Sequence, residues 1–230
     1  MKRLILLALF CISYCTATTC RGLLLGGGGD RGGMSRILLT NIVAWEAGVL
    51  RALLDRDYPV NYDVVVGISG GAINAAVFAS HDIGEEAEVS ADMTSMWMSI
   101  KHSDMFEKWS SIIMPDLRTV PALFDSKPQH DYLRKIFDAD VLAASNRRSY
   151  VAVTGLDSYE VTLVPNNDPT FLDAVVASSA FPLVYPPVKL NDTWYIDGAV
   201  SYIHTFINNL VFFHRTGPCH RRSLQASIHQ

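Results

Sequence analysis

One stretch of the sequence, residues 62–71, constrains the fold more than any other. Residues 62–66 (Tyr-Asp-Val-Val-Val) are rich in β-branched side chains, which is typical of a strand covered on both faces. Residues 67–71 read Gly-Ile-Ser-Gly-Gly and fit the pattern G-x-S-x-G, and the alanine-rich residues 72–80 predict a helix directly after it. A serine on such a sharp turn needs glycine neighbours, because its backbone is strained and the flanking chains crowd it. The stretch therefore predicts that Ser69 is a nucleophile lifted above the end of a sheet, with a plain glycine turn as the alternative.

A second glycine-rich segment follows another short apolar run. Residues 21–25 predict a buried strand that enters four consecutive glycines at residues 26–29, and Gly32 follows shortly after. This spacing matches the dinucleotide-binding pattern G-x-G-x-x-G, but the strand with an acidic end that should follow is missing, since residues 42–54 predict a helix. The other use of such a run is a row of backbone amides that approach a developing oxyanion. The serine motif downstream favours this second use.

The order of the apolar segments predicts an α/β fold. Further strands are expected at residues 149–154, 160–164 and 194–196, and further helices at residues 45–57 and 85–100. Strands that alternate with helices favour a three-layer arrangement, with a mostly parallel sheet and helices on both of its faces. A chain of 230 residues is long enough for one such domain with a sizeable core.

The composition excludes several classes of function. The chain is 49% hydrophobic and 18% charged, which argues against disorder, and its net charge of −4 leaves no basic surface for nucleic acid. Four cysteines without a C-x-x-C pair or a His/Cys cluster predict neither a disulfide scaffold nor a zinc site. A globular enzyme or binding domain is the remaining class.

The first 17 residues have the layout of a secretory signal peptide. Lys2 and Arg3 precede an apolar stretch at residues 4–14, and small residues then lead to Ala17, after which cleavage is expected. The apolar stretch is about half of the roughly 20 residues that span a bilayer, so a permanent anchor is the weaker interpretation. The sequence therefore predicts a protein that is secreted or resident in the secretory-pathway lumen, with a single domain over residues 18–230. An oxidising compartment would allow Cys20 and Cys219 to pair.

Two of the predicted helices carry apolar stripes. The stripe on the first helix consists of Trp45, Val49, Leu50, Leu53 and Leu54 at helical spacing, so that face is expected to be buried. The stripe on the second helix consists of Met93, Met96, Trp97 and Ile100. Burial in the core is the favoured interpretation of this stripe, and a lipid-facing lid formed together with the apolar residues 112–114 is the alternative.

Three motifs together resemble the signature of the patatin-like phospholipases. That family has a G-G-G-x-x-G oxyanion loop, a G-x-S-x-G nucleophile elbow and a later D-G-G or D-G-A. In this sequence the motifs are, in the same order, Gly27-Gly28-Gly29-Asp30-Arg31-Gly32, Gly67-Ile68-Ser69-Gly70-Gly71 and Asp197-Gly198-Ala199. The resemblance covers about residues 22–200, with further similar stretches at residues 44–50, 177–182 and 186–188.

The resemblance implies a Ser-Asp dyad that acts on lipid acyl esters without a metal or cofactor, in transient contact with a membrane surface. Ser69 would attack the ester carbonyl to form an acyl-enzyme, and Asp197 would take the serine proton and later activate water. The groups implied to hold the oxyanion and to brace its loop are the amides of Gly27, Gly28 and Gly29 and the side chain of Arg31. A carboxylate is a poor base at its ordinary pKa of about 4, so such a dyad requires desolvation or very close geometry.

Two other functions fit parts of the same pattern. An α/β-hydrolase would use a triad in the order Ser69, Asp197, and then His204 or His214, but the glycine loop lacks the histidine that usually precedes it in that fold. A lipid-binding protein that retains a hydrolase fold without turnover is the non-enzymatic alternative. The presence of both Ser69 and Asp197 favours an active enzyme.

The sequence departs from the family pattern in two places. Residues 33–43 interrupt a segment that is continuous in the family, and an insertion there would displace amides at the start of a helix beside the oxyanion loop. The resemblance fades after about residue 200, where residues 206–213 form an apolar run without a partner element and residues 214–230 show no periodicity. Both departures are interpreted as read-through of unspliced or frame-shifted nucleotide sequence, which predicts poor folding and little esterase activity. A genuine loop and a shortened tail are the alternative.

Overall fold

The computed structural model describes residues 19–27, 38–54, 60–107, 122–202 and 211–216. The strands in these ranges are β1 (Thr19–Leu25), β2 (Val64–Ile68), β3 (Arg148–Gly155), β4 (Val161–Pro165), β5 (Val188–Leu190), β6 (Thr193–Asp197) and β7 (Val211–Thr216). The helices are α1 (Leu38–Leu54), α2 (Gly71–Ala79), α3 (Glu86–Ser99), α4 (His102–Met105), α5 (Lys127–Ile136), α6 (Ala139–Ala144), α7 (Phe171–Ser178) and α8 (Ala199–Tyr202).

The strands form one mixed sheet in the order β5-β6-β3-β2-β1-β7, and β4 pairs with β3. β1, β2 and β3 are parallel neighbours at its centre, and the remaining pairs are antiparallel. Because parallel strands run the same way, the carboxyl ends of β1 and β2 meet at one edge, where Leu25 pairs with Gly67. Antiparallel β6 ends at the same place, since Asp197 pairs with Val153 next to the β2–β3 ladder. The topology thus gathers both glycine motifs and Asp197 at one edge of the sheet.

Side chains of the central strands alternate between the two faces of this sheet. Leu23 and Val65 belong to the larger core, where α1, α2, α3 and α7 pack. Leu24 and Val66 belong to the core on the opposite face, where Ala199 of α8 packs. Every residue of β2 is buried, as its β-branched run predicts. The three-layer α/β fold predicted from the sequence is therefore confirmed.

The two apolar stripes differ in burial. All four residues of the α3 stripe lie in or against the larger core, which confirms the core interpretation over an exposed lid face. The prediction for α1 was wrong at Trp45, whose exposed fraction is 64%. Leu50 is buried as predicted, and Glu46 and Ala47 are buried as well. A charged residue thus occupies a core position on this helix, which a pattern of apolar residues does not predict.

The expectation for the tail was wrong in one respect. The apolar run at residues 206–213 was predicted to have no partner, but residues 211–216 form β7, which pairs antiparallel with β1 from Leu24 to Thr19. β7 reads Val-Phe-Phe-His-Arg-Thr and lacks the alternation that identifies a strand, so the open edge of β1 determines the pairing. The suspected insertion at residues 33–43 lies partly in α1, which begins at Leu38 and runs without a break into the predicted helix.

A buried ion pair fixes the amino ends of β2 and β3. Arg147, which is fully buried, donates to Glu86 Oε1 at 2.9 Å and to the carbonyl oxygens of Tyr62 and Asp82, each at 2.7 Å. Glu86 also accepts the backbone N–H of Tyr62 at 3.0 Å. Both charges are thus compensated inside the protein, which is the condition under which buried charges are tolerated.

Cys20 of β1 is disulfide-bonded, and Cys219, its predicted partner, lies outside the described residues. The predicted signal peptide at residues 1–17 and the possible lid residues 112–114 also lie outside them. In the part of the chain that the structure describes, no helix is both long enough and apolar enough to cross a bilayer.

Candidate active site

Ser69 lies on a sharp turn between β2 and α2. Its φ angle is 55°, in the left-handed region that a non-glycine residue rarely adopts. The glycines on either side are required by close packing: a Cβ on Gly67 would lie 2.5 Å from the carbonyl oxygen of Gly71, and a Cβ on Gly71 would lie 2.5 Å from that of Leu25. The turn therefore has the strained strand-to-helix geometry expected of a nucleophile elbow.

The hydroxyl of Ser69 donates a hydrogen bond to Asp197 Oδ2 at 2.8 Å. Asp197 is the last residue of β6, and its backbone N–H donates to the carbonyl of Ala180 at 3.0 Å. Its other carboxylate oxygen accepts the N–H of Ala199 at 2.8 Å. A Cβ on Gly198 would overlap the carbonyl oxygen of Ala152 on β3, so only glycine lets the chain turn this close to the sheet. Ser69 and Asp197 are thus held together although 128 residues separate them.

Burial changes the acidity of Asp197. The residue is only 2% exposed, and desolvation raises the pKa of its carboxyl from 3.8 to about 7, against the opposing effect of the hydrogen bonds from Ala199 and Ser69. A carboxyl with this pKa is a far better base near neutral pH than an exposed aspartate. The geometry and the desolvation required of a Ser-Asp dyad are both present.

The glycine loop begins directly above Ser69. A Cβ on Gly27 would lie 2.5 Å from Ser69 Cβ and 3.0 Å from Ser69 Oγ, so the Gly27 backbone is packed against the nucleophile itself. The other residues predicted for this loop, Gly28, Gly29, Arg31 and Gly32, lie outside the described residues. Of the predicted oxyanion donors, the structure therefore locates Gly27 beside the nucleophile, and its role as a donor stays a prediction.

Two serines at the carboxyl end of α7, Ser178 and Ser179, also hold the elbow, and the sequence predicted no role for them. The Ser69 backbone N–H donates to Ser178 Oγ at 2.8 Å, and Ser178 Oγ donates to the carbonyl of Ala152 at 2.7 Å. The hydroxyl of Ser179 lies 3.2 Å from the Ser69 carbonyl and donates to it. The only signal in the sequence was the similarity of residues 177–182 to the family, since their distance from Ser69 along the chain gives no indication of contact.

The structure does not bring a histidine of the described residues between Ser69 and Asp197. His214 pairs with Arg21 in the β1–β7 ladder, six residues before Gly27 along β1, which is about 20 Å at the ordinary rise of a strand. The backbone of His214 is thus far along the sheet from the glycine loop, which does not favour a triad with this residue, and His204 lies outside the described residues. The described ranges also contain no group of three His, Cys, Asp or Glu residues that could hold a metal ion.

One family model matches most of this chain. The family model described as patatin-like phospholipase matches residues 23–207, which include Gly27, Ser69 and Asp197. Among solved structures, the crystal structure of VipD from Legionella pneumophila is similar, with 13% sequence identity and a TM-score of 0.32. That alignment covers 87% of this chain and 48% of the VipD chain, so this chain spans about half the length of VipD. No curated protein matches this sequence significantly.

Proposed function

The chain belongs to the patatin-like phospholipase family, and we propose that it hydrolyses lipid acyl esters with Ser69 as nucleophile and Asp197 as general base. Family membership supports lipid acyl hydrolysis in general. The proposal of a dyad rests on one observation, the 2.8 Å hydrogen bond from Ser69 Oγ to the buried Asp197 carboxylate. Ser69 itself lies on a strained turn and packs against Gly27. Ser69 and Asp197 differ in role because only the serine oxygen can form a stable ester intermediate.

The first half of the reaction transfers the acyl group to the enzyme. Ser69 Oγ attacks the ester carbonyl carbon while its proton moves to Asp197 Oδ2, and the carbonyl oxygen takes up the negative charge. The backbone amides of the loop that begins at Gly27 stabilise that charge. When the intermediate collapses, the bond to the leaving alcohol breaks, and Asp197 returns its proton to the alcohol oxygen. The products are a free alcohol and an acyl-Ser69 ester.

The second half regenerates the serine. A water molecule gives its proton to Asp197 as its oxygen attacks the acyl-Ser69 carbonyl, and the proton then returns to Ser69 Oγ when the fatty acid leaves. A lipid alcohol in place of water would yield a new ester by the same steps. Desolvation of Asp197 supports both halves, because it raises the pKa of the carboxyl towards the range in which a base works near neutral pH.

An exposed apolar rim supports contact between the site and a lipid surface. The rim consists of Leu123, Phe181 and Leu183, whose exposed fractions are 61%, 41% and 64%. Leu123 donates its N–H to the Leu183 carbonyl at 3.0 Å, and Phe181 follows Ala180, whose carbonyl accepts the Asp197 N–H. Leu183 also has a φ of 70°, which is unfavourable for a residue other than glycine. Exposed apolar groups this near a candidate site are typical of surfaces that bind lipid.

The rim is tested by Leu183→Asn, since asparagine tolerates a positive φ and is polar. We expect the variant to sediment less with phosphatidylcholine vesicles than the wild type. The matched control is Val141→Asn on α6, which replaces another exposed apolar residue, 48% exposed, outside the rim. Equal sedimentation of the two variants would count against the rim as a membrane contact.

The location of the protein is a separate proposal. The charge pattern of residues 1–17 supports entry into the secretory pathway and removal of the segment after Ala17. Expression in a eukaryotic host followed by mass spectrometry of the amino terminus tests it: a mature chain should begin at Thr18. An intact Met1 in protein recovered from the cytosol would overturn this proposal.

The function itself is tested with a fluorophosphonate probe, which phosphonylates only activated serines. Mass spectrometry of the labelled protein should locate the adduct on Ser69, and Ser69→Ala should abolish both labelling and the release of fatty acid from phospholipid. A folded wild-type protein that neither takes up the probe nor releases fatty acid would support the lipid-binding alternative instead.

A further inference from the structure

A second buried carboxylate lies near the glycine loop and has no part in the chemistry described above. Glu46 of α1 is 6% exposed, and its carboxylate accepts the Asn74 side-chain amide at 3.1 Å and the backbone N–H of Gly26. Glu46 occupies a core position that favours an apolar residue. Because two donors compensate the buried carboxylate, we infer that Glu46 has a specific role in holding the residues that donate to it.

The side chains around Glu46 determine its orientation. Trp97 of α3 donates its indole N–H to Asn74 Oδ1 at 2.7 Å. An indole can only donate, so Asn74 must present its oxygen to Trp97 and its NH₂ group to Glu46. Asn74 itself is fully buried on α2, five residues after the nucleophile. The chain Trp97–Asn74–Glu46 therefore connects three helices and ends at the Gly26 amide.

Gly26 is the residue through which this chain reaches the candidate active site. Its N–H is held by Glu46, and its carbonyl oxygen is pressed against α2, since a Cβ on Gly71 would lie 2.6 Å from it. The next residue, Gly27, packs against Ser69 Cβ and Oγ. A shift of Gly26 would therefore move Gly27 relative to the nucleophile.

We propose that Glu46 is a positioning residue, whose carboxylate, oriented by Asn74 and Trp97, fixes the Gly26 amide and so holds Gly27 against Ser69. This inference rests on the proposed function, because a loop position matters only to a reaction that uses the loop. Glu46 acts through Gly26 and takes no proton from the substrate. Burial raises the pKa of the Glu46 carboxyl to about 7, and the bonds from Asn74 and Gly26 oppose that shift, as expected where donors converge on a buried carboxylate.

The test compares Glu46→Leu with Glu46→Gln and with Glu86→Gln. Leucine leaves the Gly26 and Asn74 donors without an acceptor, whereas glutamine keeps one acceptor oxygen. Glu86 is the matched control, because it is an equally buried carboxylate whose partners are Arg147 and the backbone of Tyr62 and Gly84. All three variants and the wild type are assayed with a soluble p-nitrophenyl ester, with thermal unfolding measured in parallel.

The expected result is a loss in kcat without a change in KM. Misplacement of catalytic groups by about 1 Å can cost about 10²-fold in rate, so kcat of Glu46→Leu should fall by about tenfold to a hundredfold. Fluorophosphonate labelling of Ser69 should also be slower in this variant. Glu46→Gln should recover part of the loss. Glu86→Gln should lower the unfolding temperature and leave kcat of the folded protein unchanged.

Several results would overturn the inference. One is a Glu46→Leu variant that is less stable but keeps the wild-type kcat, and another is a rise in KM alone, which would indicate a role in substrate binding. If Glu46→Leu does not fold, Asn74→Ala is measured in its place, because it removes the donor that orients Glu46. A lower kcat at unchanged KM in that variant supports the inference, and an unchanged kcat overturns it. A wild type without activity or Ser69 labelling would count against the proposed function as well.

Discussion

The backbone amide of Ser69 donates to the hydroxyl of Ser178, 109 residues later in the chain, at 2.8 Å. The same hydroxyl donates to the Ala152 carbonyl at 2.7 Å, so Ser178 joins the elbow to β3. All three residues are buried. Because Ser69 has a positive φ, its backbone conformation depends on such contacts, and a buried amide without an acceptor would be unfavourable.

Ser178→Ala should therefore weaken both the fold and the reaction. The substitution leaves the Ser69 N–H and the Ala152 carbonyl without this partner, which should reduce the free energy of unfolding by about 1–3 kcal/mol. We also expect a lower kcat, because Ser69 becomes less fixed. Urea unfolding and steady-state kinetics measure the two effects.

The control for Ser178 is its neighbour. Ser179→Ala removes a 3.2 Å bond to the Ser69 carbonyl, but that carbonyl still accepts the Ala72 N–H at 2.9 Å. This variant should remain close to the wild type in stability and kcat. Equal effects of the two substitutions would show that the Ser69 amide does not need Ser178.

The sequence predicted the elements that carry a strong local pattern. The β-branched run of β2, the glycine turn and the alanine-rich α2 agree with each other, so Ser69 could be located on its elbow from the sequence. The contact between Ser69 and Asp197 has no local signal, because β3 and β6 bring the two together through the sheet, and only the family resemblance predicted it. The role of each site residue in the reaction stays a prediction.

The errors have a common cause in long-range contacts. Trp45 was expected inside but is exposed, and Glu46 is buried because Asn74 and Gly26 supply its hydrogen bonds. β7 forms because the edge of β1 is open, although its own residues show no alternation. The partners of Glu46 and of β7 are distant in the sequence, so the residues around each of them do not reveal the contact. A prediction from those residues alone therefore follows their average structural preference.

The reaction should become faster as the pH rises through about 7. Asp197 can accept the Ser69 proton only when it is ionised, and burial raises the pKa of its carboxyl to about 7. We therefore expect kcat/KM to be low at pH 5 and to level off above pH 8, measured with a soluble ester. An inflection near pH 4 would mean that Asp197 is solvated in the free enzyme or is not the base.

Glu46 provides the control for this profile, because burial raises the pKa of its carboxyl to about 7 as well. Glu46→Gln removes that titrating group and leaves Asp197 unchanged. If Asp197 is the base, the inflection should stay near pH 7 in this variant while the plateau is lower. Disappearance of the inflection would assign it to Glu46.

Asp197→Asn should abolish turnover and yet stabilise the protein at alkaline pH. The pKa of Asp197 is raised by folding, so between about pH 4 and 7 the folded state binds a proton that the unfolded state has released, and stability falls as the pH rises through that window. Asparagine carries no charge, so the variant does not lose stability in that window. Each unit by which folding raises the pKa corresponds to about 1.4 kcal/mol in the free energy of unfolding. Urea unfolding should show that the advantage of the variant grows from pH 5 to pH 8. A constant difference would mean that Asp197 is not desolvated.

Gly27→Ala should inactivate the protein by crowding the nucleophile. The new methyl group would lie 2.5 Å from Ser69 Cβ, closer than real Cβ contacts allow, so either the loop or the serine must move. Because Gly27 has no left-handed φ, the effect is one of space alone, and kcat should fall by about 10²-fold with slower phosphonylation of Ser69. Gly48→Ala is the matched control: it makes the same change in α1 where nothing lies within 4 Å, and it should raise the unfolding free energy by up to about 1 kcal/mol with kcat unchanged. A Gly27→Ala variant with the kinetics of Gly48→Ala would show that the loop does not approach Ser69 during the reaction.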